Sequence, residues 1–226
     1  MLVAVIRCTV RYMSKRPQLV ETALRLFYRQ GFHATGVDQL AREAGVTKKT
    51  LYNHFPTKEA LVLAALRLRD EDFRARMERA VHGAKVAAGS PPGALAAARA
   101  WAYLDFLLAW AGEHDFCGCA FINASAEYAS ADDPIHRLAW EHKRLVLEFL
   151  AQALGEGGAP APEQNAQAVF LLGEGIIVAG QVGTVAPFAA AARAAATALT
   201  TGWSIAPTTP ASPAPPATPG AAPPAA

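Results

Sequence analysis

The sequence predicts an all-α protein of about nine helices, with a three-helix helix-turn-helix at its N-terminal end and a larger helical body behind it. Three observations carry this. Apolar residues recur at i, i+3, i+4 and i+7 along most of the chain. Proline or a Thr/Asp cap stands where the helices would start, and glycine where they would end. No segment alternates apolar and polar with the period of a strand.

Pro17 is read as the first helical position and Gly31 as the residue past the end, with Val20, Ala23, Leu24 and Phe27 on one face between them. Thr35 is expected to cap a second helix, with Asp38 completing a capping box and Val37, Leu40, Ala41 and Ala44 repeating the period. Gly45 breaks it. Thr47 caps a third helix, Lys48–Phe55, whose inward residues are Leu51 and Phe55. After Pro56, Thr57 caps a fourth that runs to about His82. A Gly/Pro linker, 83–93, precedes Ala94–Ala111. A loop at 114–118 leads to a short helix, Ala120–Ser130. Asp132-Asp133-Pro134 opens Ile135–Leu154, Pro162 opens Glu163–Gly183, and Pro187 opens Phe188–Trp203. There is no internal repeat.

The 226 residues, 52% of them hydrophobic, suffice for a real core. Four regions are expected: an arm or misassigned start at 1–13, with Met13 as the alternative initiator; a DNA-binding unit at 14–66; a regulatory unit at 67–205; and a Pro/Ala-rich tail at 206–226 that cannot bury enough apolar surface to order itself. The net charge of +2 is uneven. Residues 14–58 carry eight basic and three acidic side chains, and the rest of the chain has a net charge of −3. A basic piece on an acidic body suits a polyanion partner, or else a well-solvated helix pair. Cys8, Cys117 and Cys119 make no disulfide framework and fit a reducing, cytoplasmic setting. No run reads as a membrane span.

A short helix that enters the major groove needs one packed apolar face and donors on the other. With Leu51 and Phe55 inward, Lys48 pairs with Tyr52 and Lys49 with Asn53 on the outer side, and Thr50 and His54 flank them. The helix N-terminus approaches the bases, and its dipole favours phosphate. Thr35, Thr47, Tyr52 and Lys58 suit backbone contacts, which set register rather than sequence preference. Tyr52 could instead be a partly buried core residue.

The run Gly31-Phe-His-Ala-Thr-Gly-Val37, with Leu40-Ala-Arg-Glu-Ala-Gly-Val-Thr-Lys48 and Thr50-Leu-Tyr-Asn-His-Phe-Pro-Thr-Lys-Glu-Ala-Leu61, resembles the DNA-binding domain of the TetR family of bacterial repressors. The resemblance covers about residues 17–66. It implies contacts to double-stranded DNA by Thr35, Thr47, Lys48, Lys49, Tyr52, His54 and Lys58. Lys49 stands where family members often carry Gly. The resemblance further implies a helical ligand-binding and dimerisation domain after about Arg67. It would bind a small-molecule effector, and its last two long helices would form a homodimer.

Within that body, Trp110, Phe121, Tyr128, Trp140 and Phe170 are expected to line an apolar pocket, with Glu174 as a polar handle. Small and apolar residues along Glu163–Gly183 would allow close helix packing and a covered symmetric face. Cys117-Gly-Cys119 resembles a stretch found in one TetR subgroup. It leaves a redox or metal sensor open beside a buried small residue at a tight turn. No nucleophile–base pair, phosphate loop or metal-ligand spacing supports an enzyme, and no cofactor or metal is expected. The reading is a DNA-binding transcriptional regulator, a repressor released by a ligand, without a membrane partner.

Overall fold

The computed structural model describes residues 15–204, so the arm, Met13, Cys8 and the tail discussed above lie outside the described residues. Among the described residues there are nine α-helices and no strand: α1 (Lys15–Gln30), α2 (Val37–Glu43), α3 (Lys48–His54), α4 (Lys58–His82), α5 (Ala94–Ala111), α6 (Ala120–Glu127), α7 (Pro134–Glu156), α8 (Pro162–Val182) and α9 (Ala189–Thr201).

The N-terminal three helices pack as a unit on the first half of α4. Leu19, Ala23 and Phe27 of α1 meet Leu40 of α2, Leu51 of α3 and the Leu61/Ala65 stripe of α4 in one buried cluster. The α2–α3 turn depends on Gly45, whose φ of +61° is a left-handed conformation that glycine adopts without strain. There the N–H of Val46 donates to Ala41 and that of Gly45 to Arg42, which closes α2. Thr47 and Thr57 cap α3 and α4 as expected, accepting from the N–H groups of Thr50 and Ala60.

Several boundaries differ from the sequence reading. α1 is described from Lys15 onward, so Pro17 lies inside the helix rather than at its first position. Thr35 is not the cap of α2. Gly36 holds that place without a side-chain bond, and the Thr35–Asp38 box does not form. Thr35 is fully buried, and its hydroxyl donates to the Gly31 carbonyl at 2.7 Å. Burial gives that hydroxyl an acceptor one turn back, which outcompetes the cap geometry. α6 stops at Glu127 instead of Ser130, with Tyr128 as its C-cap. α9 is shorter than Phe188–Trp203, because 3-10 turns occupy Ala186–Phe188 and Gly202–Ser204.

In the body, α5 packs on α8 and α7, α8 packs on α7, and α4 runs alongside α5 and α7. Asp133 caps α7, accepting from the N–H of Ile135 at 2.7 Å. α8 is long and apolar enough by composition to cross a membrane. Here one side of it, with Val169, Gly173, Ile176 and Ile177, is buried in the body.

Candidate nucleic-acid interface and effector cavity

α3 presents the polar face that groove reading requires. Leu51 and the capping Phe55 are buried, while Thr47, Lys48, Lys49, Tyr52 and Asn53 are exposed and Thr50, His54 and Lys58 half-buried. Tyr52 is 43% exposed, so it is not a core residue. The Thr47 hydroxyl takes the Thr50 N–H at 3.1 Å and lies 2.8 Å from the Thr50 hydroxyl. Lys48 pairs with Asp38 of α2 at 3.0 Å. The hydrogen bond to that carboxylate raises the lysine's pKa and keeps it cationic. Lys58 donates to the His33 carbonyl at 3.3 Å. Thr35 is the exception among the expected contacts: its buried hydroxyl is already used, and it acts as an internal brace.

The body holds a partly enclosed cavity of about 10 Å³, enough for about one water molecule. Trp110, Phe121, Phe170 and Glu174 line it, as the sequence suggested. Tyr128 and Trp140 do not. Tyr128 is a cap at the end of α6 and stacks on His33, 4.8 Å between ring centres. Trp140 is 68% exposed on the outer face of α7, because the α7 stripe that faces the core is Ile135, Ala139, His142 and Val146. It lines an external cleft of about 180 Å³ instead, and Phe121 and Lys143 belong to both that cleft and the cavity.

The polar residues of the cavity were missed by sequence reasoning, apart from Glu174. Lys143 holds both oxygens of Glu174 at 2.7 Å. His142 stacks face to face on Phe121, with ring centres 3.7 Å apart, and its Nδ1 lies 2.7 Å from Asp70. Burial pushes the His142 pKa down, against the pull of Asp70. Burial raises the pKa of Asp70, but His142 and Arg74 outweigh it and hold the carboxyl below its ordinary value. The direction with the firmer physical cause is a neutral imidazole beside an anionic Asp70 that Arg74 neutralises. Arg69 lies over the rings of both Tyr28 and Trp110, at 5.4 and 5.3 Å. The signal for His142 and Arg69 was present: each is a polar residue on the apolar stripe of its helix.

Two ties join the body to the N-terminal helices. Glu127 at the end of α6 accepts the N–H groups of Phe32 and His33 at 2.8 and 2.6 Å, and the His33 Nδ1 lies at 2.9 Å. Gly31 permits this approach. Its φ is +88°, and a Cβ there would stand 2.9 Å from a Glu127 oxygen. Burial works to raise the Glu127 pKa, but these donors hold it below the ordinary carboxylate range. In the second tie, the Tyr28 hydroxyl donates to the Gly118 carbonyl at 2.9 Å and accepts the Cys117 N–H at 3.0 Å. Cys117 is half-buried, and its Sγ lies 3.5 Å from the Asp115 carbonyl, whereas Cys119 is buried in the cavity wall. Among the described residues no group of three or more His, Cys, Asp or Glu side chains is placed to hold a metal ion.

A Gly-turned helix pair with a cationic outer face, set on an all-helical body, is the architecture of a helix-turn-helix regulator. Residues 19–65 match the family model described as bacterial regulatory proteins, tetR family. The structure is similar to that of SCO4454, a TetR-family transcriptional regulator from Streptomyces coelicolor. The TM-score is 0.74 and the identity 29%, over 85% of this chain and 97% of that one. Among curated proteins the chain is 43% identical over 51 residues to YerO, an uncharacterized HTH-type transcriptional regulator of Bacillus subtilis. That match covers 23% of this chain and 18% of YerO, so the chain spans less than a fifth of that relative's length. The fold also resembles FadR of Bacillus subtilis in complex with stearoyl-CoA. There the TM-score is 0.59 and the identity 18%, over 82% of this chain and 98% of that one. Residues 19–65 are similar to the TetR-family DNA-binding domain, and the described fold is similar to that of a TetR-family regulator.

Proposed function

We propose that the chain is a sequence-specific, DNA-binding transcriptional regulator, a homodimeric repressor that a small hydrophobic effector releases from its operator. The observation that carries this is the face of α3: Lys48, Lys49, Tyr52 and Asn53 stand exposed on a helix anchored by Leu51 and Phe55. Lys48 and Lys49 at the N-terminal end approach base edges, with Thr50 and His54 beside them. Thr47, Tyr52 and Lys58 hold the phosphates. The domain limits 14–66 and 67–205 belong to this reading, as does a cytoplasmic location beside the DNA.

The dimer rests on α8 and α9. Leu171, Gly175, Val178 and Val182 form a helical stripe, in which the three apolar side chains are 69%, 48% and 82% exposed; Phe188 beside them is 52% exposed. A Cβ on Gly175 would meet nothing within 4 Å, so a partner helix can approach closely there. A two-fold copy of the same stripe covers this apolar face and sets two recognition helices about 34–36 Å apart, one DNA turn.

The effector site is the cavity lined by Trp110, Phe121, Phe170 and Glu174. Phe121 and Glu127 sit on the same short helix, so a ligand that displaces Phe121 moves the contact that holds the α1–α2 turn. A ligand that favours the displaced arrangement lowers DNA affinity, and DNA lowers ligand affinity by the same factor. A second reading is supported by the bond from the Cys117 N–H to Tyr28: oxidation at Cys117 or Cys119 would disturb the same tie. The experiment is binding of the full chain to the DNA flanking its own gene, across salt concentrations, with and without oxidant. A specific complex with a steep salt dependence is expected. Absence of any specific complex overturns the regulator. Loss on oxidation that Cys117→Ser abolishes would favour the thiol sensor.

A further inference from the structure

Arg69 is the cation at the cavity whose ion pair is long and mostly in solvent. Its side chain is 16% exposed, and its ion pair is with Asp72, 3.8 Å away and more than half exposed. Among the described residues it makes no hydrogen bond to the protein. It rests instead over the rings of Tyr28 and Trp110. Every other charge at the site is accounted for. Lys143 is closed by Glu174, Asp70 by Arg74 and the His142 ring, and burial keeps His142 neutral. Arg69 is therefore the cation at the cavity held least tightly by the protein's own carboxylates.

A second donor is unspent. The Tyr103 hydroxyl lines the same cavity, the residue is 1% exposed, and among the described residues it makes no hydrogen bond. Burial holds its proton firmly, so it can only donate to a ligand anion. The remaining wall is apolar and largely aromatic. Phe73 and Trp110 meet edge to face at 5.1 Å, and Phe121 covers His142. Phe121 and Lys143 separate this interior from the cleft under Trp140. Rotation of those two side chains would join the cleft to the cavity.

We propose that the effector is a small hydrophobic carboxylate. It enters through the Trp140 cleft, lodges its body among Phe73, Trp110 and Phe121, and rests its charge on Arg69. A guanidinium fork matches a carboxylate in geometry. One loosely paired cation in an apolar wall suits a monoanion, and a phosphate dianion would leave a net charge buried. The same guanidinium touches Tyr28 of α1, so an anion that draws it inward also loosens a contact of the N-terminal helices. This deepens the effector-released repressor above and rests on it for its regulatory meaning, but the site chemistry is tested separately.

The test is calorimetric titration of the full chain with three matched pairs: benzoate and benzamide, 2-naphthoate and 2-naphthamide, octanoate and octanamide. At least one acid is expected to bind about tenfold or more tightly than its amide, the factor that an ion pair of about 1.4 kcal/mol gives. Arg69→Gln should bring that ratio to about one, and Arg69→Lys should retain part of it. Binding of no acid, equal binding of acid and amide, or an undiminished ratio in Arg69→Gln overturns the proposal. If Arg69→Gln does not fold, as judged by circular dichroism, the wild-type ratio and Arg69→Lys decide. Binding to the flanking DNA is measured in parallel. An Arg69-dependent acid site without a DNA complex refutes the regulator and keeps the site, and a DNA complex without acid binding does the reverse.

Discussion

Glu127→Gln removes one charge from the joint between α6 and the α1–α2 turn and leaves its shape. The wild-type carboxylate serves the Phe32 and His33 N–H groups with separate oxygens, at 2.8 and 2.6 Å. An amide has one acceptor oxygen, so one backbone donor then faces an NH2 group. A hydrogen bond to a charged group is worth about 1.5–3 kcal/mol. The Glu127 side chain is 27% exposed, which favours the low end of that range. A loss of about 1.5–2 kcal/mol corresponds to a Tm lower by about 3–8 °C for a chain of this size. Differential scanning calorimetry near pH 7 measures it. The pH dependence gives an independent sign. The folded-state pKa is depressed below the ordinary 4.5 of a glutamate, so the stabilisation is fully present above that pH and is lost as pH falls through the depressed value. The Tm gap between wild type and variant should therefore shrink between about pH 5 and about pH 3. A gap of less than about 1 °C near neutrality, or one that stays constant down to about pH 3, would refute the charged clamp.

Tyr52→Ala and Lys58→Ala should weaken binding to all DNA sequences alike, and Lys58→Ala should lower the salt slope by about one. Lys48→Ala should instead shift preference among operator variants; equal losses on every sequence for all three would remove that division of labour. Leu171→Glu places a charge on the exposed α8 stripe and should convert dimer to monomer in light scattering, with an unchanged circular dichroism spectrum. An unaltered dimer would move the interface elsewhere. His142 has a folded-state pKa depressed below 6.5 by burial, so the fold is most stable above that pH and loses stability as pH falls from 6.5 toward the folded value. His142→Asn should flatten that part of the Tm profile, and an NMR titration placing the His142 pKa above 6.5 would show the sign to be wrong.

The helices were legible wherever a local signal decided them. Thr47, Thr57 and Asp133 cap as their positions predict, because a cap involves only the next few residues. Thr35 failed because a buried acceptor one turn back, the Gly31 carbonyl, decided its rotamer, and that is a matter of packing. The outer face of α3 could be read because Leu51 and Phe55 fix which side is inward. The cavity lining was half legible for the opposite reason. Aromatic composition cannot say which rings face inward, so Trp110, Phe121 and Phe170 were placed well while Tyr128 and Trp140 were not. Helical phase would have separated them. Trp140 falls off the Ile135–Ala139–His142–Val146 stripe, and His142 falls on it. Glu127 had no such signal, since its partners lie 94 and 95 residues earlier in the chain.

The magnitudes at the joint bear on how release could work. A hundredfold loss of DNA affinity needs an effector that prefers the released arrangement by about 2.7 kcal/mol. The Glu127 clamp is worth about 1.5–2 kcal/mol on the argument above, and a partly desolvated cation over a ring, as Arg69 over Tyr28, about 0.5–2 kcal/mol. Together they come to about 2–4 kcal/mol, which includes the required value, and neither alone reaches it. Both also start from the cavity: Phe121 shares α6 with Glu127, and Arg69 lines the wall directly. A ligand seated in a ready-made void could bind without touching either tie and would shift nothing. In a cavity of about 10 Å³ no organic effector has that option. It must displace lining side chains, and displacement of Phe121 or Arg69 would couple occupancy to the α1–α2 turn. An enlarging substitution, Phe121→Ala, should accordingly strengthen effector binding while weakening its effect on DNA. Tighter binding with full release would show that the coupling runs through some other contact.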